Sequence, residues 1–163
     1  MDDFSAAPLQ GKIALATLAV ALAISVVTDL RSRLIFHIVI VPALLVVAGC
    51  FLWLGGWPLL FESALGVLVC AGPFWLSSKL NRKWMGWGDG NLMAVSGAVS
   101  GAAAGWPFAL SVLLYVAVAG GVQSLLWIIV SKLLGRERPK YVPYGVAIAA
   151  GTAWAFLFGA PMF

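Results

Sequence analysis

Runs of apolar residues, each about the length of a bilayer crossing, follow one another along nearly the whole chain. A helix needs roughly 20 apolar residues to cross the ~30 Å hydrocarbon layer of a membrane. Charged residues and Gly/Pro/Trp clusters separate the runs and predict six helices at about 12–29, 34–54, 58–78, 89–105, 108–133 and 142–160. With 63% hydrophobic and 10% charged residues, and a mean hydropathy of +1.03, too little polar surface remains to cover a soluble globule. The expected fold is therefore an all-α polytopic membrane bundle of about six transmembrane helices. One transmembrane domain over 1–163 takes up the chain and leaves no room for a sizeable soluble domain.

The net charge of +4 does not point to nucleic acid, because the basic residues sit in short gaps between apolar runs. Arg31 and Arg33 occupy one gap. Lys79, Arg82 and Lys83 occupy a second, and Lys132, Arg136, Arg138 and Lys140 a third. The gaps at Gly55-Gly56-Trp57-Pro58 and Gly105-Trp106-Pro107 carry no charge and hold tryptophans, which suit a membrane interface. Nine of the ten basic residues thus fall on one side of the membrane. By the positive-inside rule that side is the cytoplasm, with both termini outside. The acidic start, Met1-Asp2-Asp3, and the lack of a small-x-small cleavage pattern argue against a removable signal peptide in the first run. Cys50 and Cys70 each lie inside an apolar run and read as inert core residues.

Six acidic residues must carry any carboxylate chemistry. Asp2 and Asp3 are in the N-terminal tail, Glu137 lies among arginines, and Glu62 sits about one turn into the third run near the outer interface. Asp29 closes the first run and Asp89 opens the fourth, so both lie at the cytoplasmic edge of the bilayer. A carboxylate at a helix C-terminus opposes the helix dipole, so Asp29 violates a local rule in the way functional residues do. For Asp89 the plain alternative is an N-cap. Gly86, Gly88 and Gly90 around it would let the backbone bend or approach freely, as a site admitting an extended peptide requires. Gly97, Gly101 and Gly105 recur at four-residue spacing, which predicts close helix packing and puts the fourth run in the middle of the bundle.

The segment Gly86-Trp87-Gly88-Asp89 matches the GxGD signature of intramembrane aspartyl proteases, and its place at the start of the fourth run resembles the type IV prepilin peptidase family. Thr28-Asp29-Leu30-Arg31-Ser32-Arg33-Leu34-Ile35 is similar to that family's first catalytic segment. Pro143-Tyr144-Gly145 is similar to its Pro-Tyr-Gly segment at the last helix. Two departures stand out: Ile35-Phe36-His37 where the family commonly has Ile-Pro-Asn, and Asn91 where it commonly has Lys.

The resemblance implies catalysis by Asp29 and Asp89, with Gly86, Gly88, Gly90, Pro143, Tyr144 and Gly145 shaping the site. It implies a prepilin or pseudopilin substrate with a basic leader on the cytoplasmic side, in the inner membrane of a bacterium. No cofactor or metal is expected, because an aspartyl protease activates water between two carboxyls that share a proton. The larger bifunctional members also carry a methyltransferase activity and a domain with paired CxxC motifs. The chain has no such motif and resembles the short peptidase-only branch that serves Flp/Tad pili. The rival expectation is a non-enzymatic protein of the same fold, an assembly factor or small transporter, which would not need both acids. His37 is expected to be an interfacial polar residue, and nothing in the sequence fixes an oligomeric state.

Overall fold

The computed structural model describes residues 9–32, 37–80, 86–134 and 143–159. These form four helices: α1 (Leu9–Ser32), α2 (His37–Leu80), α3 (Trp87–Leu133) and α4 (Tyr144–Phe158). The chain is thus an all-α membrane bundle, but with four helices where the apolar runs predict six, because α2 and α3 are each two helical arms joined across a kink. Three of them are long and apolar enough to cross a membrane, and α4 is a shorter apolar helix.

The difference in count has a local cause. Each of the two uncharged gaps predicted as a loop is only one or two residues of non-helical backbone inside a continuous element. In α2 the exception is Gly56 (φ 63°, ψ −152°); in α3 it is Ala104 (φ −152°, ψ 27°) followed by Gly105 (φ 75°, ψ 179°). Both glycines occupy a region of backbone space that is essentially closed to residues with a side chain. In each case Trp and then Pro follow, and proline's missing N–H and fixed φ are tolerated in the first turn of the next arm.

At Gly105 the chain doubles back. A side chain at Gly90 would meet Phe74 and Trp75, and one at Gly120 would meet Tyr144, whose ring stands 6.1 Å from that of Phe74. A straight helix would separate residues 90 and 120 by about 45 Å, yet both lie at the level of the Phe74–Tyr144 pair. The two arms of α3 therefore run antiparallel. The second is fastened to α2 where the Cys70 thiol donates to the Ala109 carbonyl at 3.1 Å.

The first arm of α3 is the middle of the bundle, and every residue from Leu92 to Gly101 is buried. In a bilayer, lipid is as apolar as leucine, so helices associate through van der Waals fit and small residues that let backbones touch. A Cβ on Gly66 would lie 2.8 Å from the Gly101 Cα, and one on Gly97 would lie 2.8 Å from the Cys70 Cβ. The predicted glycine stripe thus does pack, through Gly97 and Gly101 against Gly66. Gly105 leaves the stripe and makes the reversal. Beside that reversal lies Glu62, half-buried, with a buried Oε2 that has no hydrogen-bond partner among the described residues.

Candidate active site

Asp29 lies in the last turn of α1 and is 6% exposed. Its Oδ2 accepts a 2.7 Å hydrogen bond from the Gly145 N–H. Gly145 is the second residue of α4, where backbone donors have no partner inside their own helix and the helix dipole is positive. The acid misplaced at the C-terminus of α1 is therefore well placed at the N-terminus of α4. What reads in the sequence as a local violation is answered 116 residues later in the chain. The approach leaves no room for a side chain, since a Cβ on Gly145 would stand 2.8 Å from that same Oδ2.

Asp89 is one turn deeper into its helix than capping requires. α3 begins at Trp87 with Gly86 as its N-cap, in extended conformation and with no side-chain cap. Asp89 therefore sits at the third helical position and not at the N-cap, where the alternative reading put it. From there its carboxylate reaches back to the Gly86 N–H, and its own N–H donates to the Gly86 carbonyl at 3.2 Å. This is the acidic half of a capping box, held by the positive end of the helix. It leaves Asp89 half-buried, and its neighbour Gly90 packs on Phe74, whose ring meets that of Tyr144 beside the Gly145 N–H that holds Asp29, so both acids lie at one end of the bundle.

The elements bring the expected site residues together. Gly90 is buried under Trp75, whose indole N–H donates to the Asn91 Oδ1 at 3.1 Å. Asn91 thus contacts α2 through its side chain. Gly86 is exposed and Gly88 half-exposed, so the backbone beside Asp89 is open on one side. Pro143 caps α4, and its carbonyl accepts a 2.7 Å hydrogen bond from the Gln123 Nε2. Two turns below the acids, Thr152 Oγ1 donates to Ser96 Oγ at 3.2 Å and ties α4 to α3. Arg31 is exposed at the end of α1. Arg33, Ile35, Phe36, Arg82, Lys83, Arg136, Arg138 and Lys140 lie outside the described residues, as does the side chain of His37.

Four residues at this end of the bundle escape a reading of the sequence: Phe74, Trp75, Gly120 and Gln123. The first three sit in apolar runs with no local mark. Gln123 did carry a signal, a lone amide in an otherwise apolar run.

A family model described as the type IV leader peptidase family matches residues 16–125. That span is more than half of the chain and includes both aspartates. The chain belongs to the type IV leader peptidase family. It is thus a peptidase by family and a multi-pass membrane protein by its helices. The match ends short of the Pro143-Tyr144-Gly145 segment, which joins the site through space. No curated protein and no solved structure matches the chain.

Proposed function

We propose that this leader peptidase is an aspartyl endopeptidase that uses Asp29 and Asp89 to cut the leader from prepilin-like substrates. One observation carries the reading: two carboxylates from helices far apart in sequence converge at one end of the bundle, each held at a helix N-terminus. One carboxylate takes a proton from water as the water oxygen attacks the scissile carbonyl. The other, protonated, donates to that carbonyl's oxygen. The tetrahedral species then collapses, the C–N bond breaks, and the new amine leaves with a proton from the dyad. The open backbone at Gly86 and Gly88 suits an extended peptide entering beside Asp89.

The distribution of basic residues supports a cytoplasmic site in the bacterial inner membrane with both termini outside. A substrate there presents its basic leader on the cytoplasmic side and continues into an apolar helix after the cut. The likeness of the Asp29, Asp89 and Pro143-Tyr144-Gly145 segments to prepilin peptidases supports a prepilin or pseudopilin, of the Flp/Tad kind, as that substrate. Arg31 and the other basic residues would repel such a leader and serve topology and lipid headgroups instead.

Cleavage of a Flp-type prepilin by purified protein in detergent or vesicles tests the assignment. Asp29→Asn and Asp89→Asn should each abolish cleavage while the protein still inserts. The double variant should be no worse than either single, because residues acting as one unit are not additive. Substantial turnover by either single variant would rule out the dyad. Wild-type protein that binds the prepilin without cutting it would favour the non-enzymatic reading.

A further inference from the structure

We infer that Gln123 is a positioning residue for Asp29, acting through the start of α4. Three contacts form the chain of support. The Gln123 Nε2 holds the Pro143 carbonyl at 2.7 Å, and one turn earlier on the same arm of α3, Gly120 receives the Tyr144 ring. The next residue, Gly145, delivers its N–H to the Asp29 Oδ2 at 2.7 Å. Three consecutive residues, Pro143, Tyr144 and Gly145, are thereby gripped from two sides, by α3 and by α1.

The amide of Gln123 is only half satisfied, which separates a positional role from a merely stabilising one. Its Oε1 is buried with no hydrogen-bond partner among the described residues, and leaving a buried acceptor unpaired is unfavourable. Stability alone would favour a leucine at this point of an apolar arm. An amide whose one satisfied contact is the carbonyl at the cap of α4 instead fits a requirement on where α4 begins. The start of α4 can pivot without that contact, because Pro143 has no N–H and the α4 N-cap carries no side-chain hydrogen bond. A displacement of about 1 Å in a reacting group can lower turnover by about a hundredfold.

The inference rests on the proposed dyad for its effect on cleavage, but its structural half can be read separately. Glycine-selective ¹⁵N labelling, with Gly145→Ala used to assign the Gly145 resonance, reports the hydrogen bond to Asp29 directly. Gln123→Leu should insert normally, shift the Gly145 amide resonance upfield as that bond loosens, and lower kcat tenfold or more with KM changed less than threefold.

Gln123→Glu adds a readout that a structural role would not move. Ionised, the glutamate offers the Pro143 carbonyl no donor; protonated, it does. Its turnover relative to wild type should therefore rise as pH falls, which the leucine variant should not do. An unmoved Gly145 resonance in Gln123→Leu would overturn the inference, and so would a moved resonance with wild-type kcat. If the wild-type protein cuts no prepilin, the proposed function fails, and the Gly145 resonance still decides whether Gln123 holds α4 on Asp29.

Discussion

Asn91 stands where the family commonly has a lysine, so its surroundings bear on whether the departure affects chemistry. Its Oδ1 accepts a hydrogen bond from the Trp75 indole N–H of α2. A lysine there would lose that acceptor and add a charge that acts only weakly across a hydrated interface. Asn91→Ala and Asn91→Lys should each change the cleavage rate by about tenfold or less, equivalent to roughly 1.4 kcal/mol of barrier. Steady-state kinetics checks this, and an inert wild type that Asn91→Lys rendered active would mark the chain as a degenerate peptidase.

At the residue scale the sequence was legible where chemistry is rare: six acids in an apolar chain reduce quickly to Asp29 and Asp89. It was not legible where a partner is distant. Nothing near Asp29 announces that the N-terminus of α4 will receive it, and nothing near Gly90 announces Trp75.

The two long helices are each broken where Gly, Trp and Pro follow one another, at Gly56 and Gly105. The breaks were visible in the sequence as uncharged gaps, but their brevity was not, because a glycine in a conformation closed to other residues can turn the chain in one or two positions. That conformation makes a prediction. Gly56→Ala and Gly105→Ala should each destabilise the protein by about 1–3 kcal/mol, read as a lower midpoint in denaturant titration of the detergent-solubilised protein. In both variants the new Cβ makes only ordinary contact with the following proline ring, so the strain is in the backbone alone. Alanine at Gly49 or Gly72, where a Cβ meets nothing within 4 Å, is the matched control and should not lower the midpoint, because alanine is favoured over glycine inside a helix. Wild-type stability in both hinge variants would mean the breaks relax without strain.

For the molecule as a whole, the charge pattern and the doubled-back α3 make one topological statement. Reporter fusions at Gly56 and at the C-terminus should read as external, and those at Arg82 and Arg138 as cytoplasmic. A cytoplasmic C-terminus would move Asp29 and Asp89 to the opposite membrane face from the one proposed.

The buried first arm of α3 has a consequence for which substitutions the chain can accept. In a water-soluble protein the interior is set apart by polarity as well as by volume, and apolar swaps that conserve volume are tolerated there at modest penalty. Here lipid outside and protein inside are equally apolar, so polarity cannot tell the two environments apart and only volume remains as the discriminant. Between Leu92 and Gly101, and at Gly66 opposite, the permitted alphabet is narrowed from above, by size. On outward-facing positions such as Leu68, Val118 and Leu125, exposed in the structure, any apolar residue of any size meets the same solvent. Drift within this family should therefore be fast in hydrophobic identity on the lipid side and nearly frozen in side-chain volume along that central arm.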